Sequence, residues 1–225
     1  MTGAGSGWPA DDEVHVRLSG VSKTYGSGRT AVQAICEIDL EIDVGEFVVV
    51  AGPPGAGKTT LIELIGATQR PTAGEIFVGR QRVDLLDDRG RLEFRTANIA
   101  LAPQTLTLAP TLNAYETVSQ AARLSGVTRP DRRTHAILDA LGLQNEIDTP
   151  AAQLSDEGQQ RLSVARALVK DAPLLLADEP LSAVTVGTRR QVIAALRRLA
   201  RSGTTIVLTT LETDGTPNAD RVIRL

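Results

Sequence analysis

Residues 46–60 read EFVVVAGPPGAGKTT, an apolar run that opens into Gly52-Pro53-Pro54-Gly55-Ala56-Gly57-Lys58-Thr59-Thr60 and continues as TTLIELIG. Strand, Gly-rich turn and helix in that order predict a phosphate-binding loop for a nucleoside triphosphate. Glycines admit backbone angles that a Cβ would forbid, so successive N–H groups can turn inward and, with the helix start, cradle phosphate oxygens. Lys58 adds a point charge for the terminal phosphates, and Thr59 offers a hydroxyl suited to Mg²⁺, which takes few protein ligands. A plain Gly-rich turn is the alternative. Against it, Lys58 is one of only three lysines, with Lys23 and Lys170, among 24 basic residues.

Working outward, Val14, Val16 and Leu18 alternate with polar residues, as do Ile38, Leu40 and Ile42. This predicts two half-buried strands that form an antiparallel arm ahead of the apolar Phe47–Ala51. After the loop, Leu61, Ile62, Leu64 and Ile65 place an apolar face on a helix that Arg70-Pro71 is expected to stop. Residues 75–78 return as a strand. The middle, about 88–160, is helical in character, with Ala114–Ser125 and Pro130–Leu141 clearest; Pro130 suits a first turn and Gly142 a C-terminus. From 159 the order is helix 159–169, strand 174–178, helix 186–201, strand 204–210 and a closing strand at 221–225. That alternation predicts a P-loop α/β core, a mostly parallel sheet flanked by helices.

Leu174-Leu-Leu-Ala-Asp178-Glu179-Pro180 is a buried strand that delivers two carboxylates at its C-terminal edge, where open α/β sheets bind ligands. Asp178 is placed to hold Mg²⁺, and Glu179 to polarise the water that attacks a terminal phosphate.

With 225 residues and a net charge of −3, the chain has material for one sizeable core, with room for an inserted subdomain. Mild acidity argues against nucleic acid as a partner. The arginines at 129, 132, 133, 189, 190, 197, 198 and 201 read as solvated helix faces. A lone cysteine, Cys36, excludes an internal disulfide or a thiolate metal cluster. The first residues, MTGAGSGWPADDEV, lack the basic then apolar pattern of a signal peptide and read as a loose tail. No run of about 18 apolar residues is present, so direct membrane insertion is not expected.

Together these motifs resemble the nucleotide-binding subunit of an ATP-binding-cassette (ABC) transporter, and within that superfamily the ATPases of lipoprotein-releasing and macrolide-exporting permeases. The resemblance runs from about residue 14 to the end. It implies a single ABC domain: core with β arm at about 12–88 and 160–225, helical subdomain at about 89–159 and flexible tail at 1–11. It implies Mg²⁺ and ATP as ligands, a permease and a second cassette (identical or different) as partners, and a place at the cytoplasmic face of the inner membrane. Tyr25 then matches the aromatic that stacks on adenine, and Gln104 the glutamine that reaches the metal and attacking water. Ser155 matches the signature serine that contacts ATP held by the opposite cassette.

The signature is altered. The segment reads Leu154-Ser155-Asp156-Glu157-Gly158-Gln159, with two acids where the family has glycines. A shifted alignment would give Gly158 a signature-glycine role. Charges at 156 and 157 are expected to face the opposite triphosphate; like charges about 4 Å apart repel by about 4 kcal/mol at an effective dielectric near 20. On this reading Glu157→Gly tightens the ATP-bound dimer. Acids in a first helical turn also suit the helix dipole. Thr185 stands where the family has an aspartate, and Thr210 where it has a switch histidine. These departures predict slow hydrolysis in a homodimer, and they keep open an ATP-binding regulatory or structural module with little turnover.

Overall fold

The computed structural model describes residues 14–104, 108–182, 184–211 and 219–225. In chain order these form β1 (Val14–Tyr25), β2 (Val32–Asp43), β3 (Phe47–Ala51), α1 (Lys58–Ile65), β4 (Ala73–Val78) and β5 (Gln81–Arg82). Then come α2 (Asp88–Asn98), β6 (Ile99–Ala102), α3 (Ala114–Leu124), α4 (Pro130–Ala140) and α5 (Asp156–Leu168). β7 (Leu174–Ala177), α6 (Val186–Arg201), β8 (Thr205–Thr210) and β9 (Arg221–Arg224) complete the order.

The strands make two sheets. One is antiparallel, β2-β1-β4-β5; the other is parallel, β6-β7-β8-β3-β9. The predicted arm is the β1–β2 pair of the first sheet. The period of two along the parallel strands sorts their side chains into two cores. Phe47, Val49, Leu175, Ala177, Ile206 and Leu208 pack with apolar residues of α3, α4, α5 and α6. Val48, Val50, Leu174, Leu176 and Val207 pack with α1 and the antiparallel sheet. A sheet covered on both faces explains why β3 and β7 are continuous apolar runs.

Two boundaries and one surface reading differ from the sequence reading. α1 ends at Ile65, well before Pro71, because Ala67 takes a positive φ of 52° and Thr68 N–H turns back to the Glu63 carbonyl at 2.9 Å. α5 starts at Asp156 because the Ser155 hydroxyl accepts from Gly158 N–H at 3.1 Å, an N-cap. The arginines are also not all solvated. Arg133 donates to the Leu168 and Val169 carbonyls at the end of α5, and Arg197 grips Asp220 through two bonds of 2.5 and 2.6 Å.

The parallel register fixes the site. Ala51 is level with Thr210, and Ala102 with Ala177, so the phosphate loop, Gln104, Asp178 and Thr210 leave one edge of the sheet together.

Candidate functional site

The loop after β3 is held from below and from the side. Gly52 N–H donates to the Thr210 carbonyl at 3.2 Å, and Ala56 N–H to the Pro53 carbonyl at 3.2 Å. Gly55 and Gly57 have φ of 81° and 92°, the left-handed region. At Gly57 a Cβ would lie 2.4 Å from the Ala34 carbonyl oxygen of β2, so the antiparallel arm fixes that glycine. Pro53, Pro54 and Gly55 are exposed at the loop's tip, while Lys58 and Thr60 are buried on its inner side.

Lys58 Nζ donates to the carbonyls of Gly52 (2.8 Å) and Pro53 (2.9 Å) and lies 3.3 Å from Glu179 Oε1. The other Glu179 oxygen accepts from Gln104 Nε2 at 3.2 Å. Thr59 Oγ1 donates to Asp178 Oδ2 at 2.7 Å across 119 residues of chain. Asp178 is buried, and its second oxygen accepts from Thr209 Oγ1 at 2.6 Å; that hydroxyl in turn accepts from Glu179 N–H at 2.8 Å. Glu179 has a positive φ of 46°, a backbone conformation rare outside glycine that recurs where function requires a fixed side-chain direction. Loop, Lys58, Thr59, Gln104, Asp178 and Glu179 thus form one connected polar network.

These residues open on a cavity of about 430 Å³, lined by Ala34, Gly55, Lys58, Thr59, Gln104 and Glu179 among others. Its donors (ammonium, loop N–H groups) and its hydroxyl–carboxylate pair suit a phosphate chain and a hard divalent cation. Tyr25 stands beside it, 36% exposed, with its hydroxyl 3.5 Å from Thr60 Oγ1 and 3.3 Å from Glu63 Oε2 and with Lys23 Nζ 5.0 Å from its ring centre. Ser155 and Gly158 do not line the cavity; they form the start of α5.

Residues 35–182 match the model of the ABC transporter family. The chain belongs to the ABC transporter family. Its curated ABC relatives include the macrolide export ATP-binding/permease protein MacB of Hyphomonas neptunium, 37% identical over 212 residues, and MacB 2 of Aeromonas hydrophila subsp. hydrophila, 35% identical over 212 residues. Each alignment covers 93% of this chain and 33% of the relative, so the chain spans about a third of the length of these proteins. Among solved structures, the ATP-binding cassette MJ0796 in a dimeric post-hydrolysis state bound to ADP and inorganic phosphate superimposes with a TM-score of 0.86 at 31% identity. That match covers 93% of this chain and 94% of the other; a second dimeric MJ0796 structure gives 0.84. The parallel sheet with flanking helices and the antiparallel sheet are those of an ABC cassette.

Two residues of the network escaped the sequence reading. Thr209 orients both acids, and Gln160 Nε2 reaches the Glu179 carbonyl at 3.4 Å. A signal for Thr209 existed: an apolar strand ending in two adjacent hydroxyls at the sheet edge that carries the acids.

The signature acids also have an arrangement that sequence alone did not suggest. The Glu157 carboxylate accepts from Thr185 N–H (3.4 Å), Thr185 Oγ1 (3.3 Å) and the Thr188 hydroxyl, at the N-terminus of α6. The Thr188 hydroxyl, then the two Thr185 donors and the nearby Arg161, hold this carboxyl below the usual glutamate range. Of the two acids expected to face an opposite triphosphate, Glu157 is therefore engaged within its own chain, and Asp156 is exposed. Two positions that depart from the family pattern, 157 and 185, touch each other.

Proposed function

We propose that this chain is the ATP-binding subunit of a membrane transporter, which binds Mg·ATP in the 430 Å³ cavity and hydrolyses it to drive a permease. The observation that supports the reading is the unbroken run of contacts Thr59–Asp178–Thr209–Glu179–Lys58, which joins a hydroxyl, two carboxylates and an ammonium in one network.

Each residue has a role that follows from its contacts. The loop from Gly52 to Gly57 and the N–H groups that begin α1 receive the phosphates, and Tyr25 offers a ring for the base. Thr59 and Asp178, both hard oxygen donors, would hold Mg²⁺, which when bound offsets phosphate charge. A terminal phosphate entering the cradle competes with Glu179 and the Gly52 and Pro53 carbonyls for the Lys58 ammonium. Glu179, released from that contact and still oriented by Gln104 and Thr209, accepts a proton from the attacking water. Hydrolysis is slow in a homodimer, since Thr210 can donate a hydrogen bond but carries no charge.

The MacB relatives are named as ATP-binding/permease proteins, which supports a permease as partner and a place on the cytoplasmic face of the inner membrane. No helix among the described residues is long and apolar enough to cross a membrane; on this reading the permease carries the attachment. The dimeric MJ0796 structures support a second cassette as the other partner; in that pairing we assign Ser155 to its ATP. Residues of about 89–159 form the subdomain that meets the permease. The test is ATP turnover by the purified chain with Mg²⁺, alone and with its permease, beside Glu179→Gln. Turnover abolished in the variant with ATP binding retained supports the proposal; wild-type protein that binds ATP but never turns it over in any assembly refutes it.

A further inference from the structure

A second cavity, of about 150 Å³, shares Glu179 and Leu211 with the nucleotide cavity and extends past Ser182 and Thr210 to Arg189 in the first turn of α6. Its volume admits a tetrahedral oxyanion and excludes a nucleotide. Among the described residues that line it, Arg189 is the only basic one, and its guanidinium has a single weak contact there. One terminal N–H reaches the Leu181 carbonyl at 3.4 Å, the limit of a hydrogen bond, and Nε is buried with no partner among the described residues. A guanidinium keeps its charge at any physiological pH and holds five donors in a fixed fork matched to phosphate oxygens. Such a group beside a small hydroxyl-lined cavity is built for an anion.

Glu179, the one acid among the described lining residues, does not oppose this. Both Glu179 oxygens are taken up on the nucleotide side, one by Lys58 Nζ and the other by Gln104 Nε2. The Thr209 hydroxyl is likewise committed to Asp178. The anion that the neighbouring chemistry generates is inorganic phosphate. We propose that this cavity is an inorganic-phosphate site, in which Arg189 draws the cleaved product past Glu179 and away from the phosphate loop. This rests on the hydrolytic reading above.

The test titrates inorganic phosphate into ADP-saturated protein by calorimetry; ADP fills the α- and β-phosphate positions of the loop, and the Arg189 variants separate this cavity from the open terminal-phosphate position. Wild type, Arg189→Lys and Arg189→Gln are compared, with ADP affinity as the measure of intact folding. The expected result is saturable phosphate binding that Arg189→Gln weakens about tenfold or more, about 1.4 kcal/mol. Arg189→Lys, which keeps the charge and loses the fork, falls between wild type and Arg189→Gln, and ADP affinity is unchanged in both. Equal phosphate affinity in wild type and Arg189→Gln overturns the proposal, as does absence of phosphate binding in protein that still binds ADP. A second measurement needs no variant: phosphate is expected to protect Arg189 from phenylglyoxal, read by mass spectrometry, and no protection overturns the proposal. Failure to bind ADP or ATP at all would instead sink the nucleotide reading on which it stands.

Discussion

Replacing Glu157 with glycine separates two accounts of the altered signature. If its charge faced an opposite triphosphate, its removal would strengthen the ATP-bound dimer. In the structure the carboxylate is bonded to Thr185 and Thr188 at the start of α6, so removal takes away a contact that ties α5 to α6. Three losses add. Hydrogen bonds to a half-buried carboxylate contribute about 1 kcal/mol after allowance for solvent. An anion at a helix N-terminus contributes about 0.3–1 kcal/mol. Glycine in the first turn of α5 costs about another 0.5 kcal/mol relative to glutamate. A loss of about 2 kcal/mol lowers the melting temperature of a chain this size by about 4–8 °C. Thermal melting of Glu157→Gly, with Glu157→Gln as the control that keeps length and helix propensity, measures this. ATP-dependent dimerisation is followed in parallel by sedimentation velocity in a Glu179→Gln background. The expected outcome is a lower melting temperature and no tighter dimer. An unmoved melting temperature with a tighter dimer would refute the intrachain role.

Further outcomes follow from the same contacts. Because the folded Glu157 carboxyl is held below its ordinary value of 4.5, its stabilisation is present above that pH and lost as pH falls through the depressed value. The melting difference between wild type and Glu157→Gln should therefore persist at pH 7 and close on the acid side of 4.5, as a pH series of melts will record. Gly57→Ala should abolish nucleotide binding and lower the melting temperature, since its Cβ would meet the Ala34 carbonyl at 2.4 Å in a backbone region closed to alanine; wild-type ATP affinity in calorimetry would contradict this. Thr210→His should raise steady-state turnover, because an imidazole adds reach and charge that a hydroxyl lacks; unchanged kcat would remove residue 210 as a cause of slow hydrolysis.

What could be read in the sequence was what lies in contiguous segments. Lys58 and Thr59 follow a strand and open a helix, and Asp178 and Glu179 end a buried strand, so each motif carried its own structural context. The family's order then placed Gln104 and Tyr25 beside them, and the network and the cavity contain or border both. Likeness gave Ser155 a signature role, whereas what the structure shows of it is the capping of α5. What escaped was long-range pairing. Glu157 meets residues 28 and 31 positions away, Gln160 meets the Glu179 carbonyl, and Thr209 bridges two acids 30 and 31 residues before it. No periodicity or spacing encodes such contacts; they exist only once α5, α6 and β8 pack on the same sheet. Arg189 was misread for the same reason: an arginine-rich helix face looks solvated until one of its members is found turned to a cavity.

The account depends on main-chain amides around Gly55 gripping a triphosphate with Lys58, and on Thr59 and Asp178 acting together on its metal. Isothermal titration of the purified chain with ATP, with and without Mg²⁺, tests this most directly. One saturable site per chain is expected, strengthened by Mg²⁺, with Lys58→Ala abolishing the signal and Asp178→Asn removing the Mg²⁺ dependence. No heat of binding for wild-type protein at millimolar Mg·ATP, or affinity unchanged by Lys58→Ala, would contradict the account.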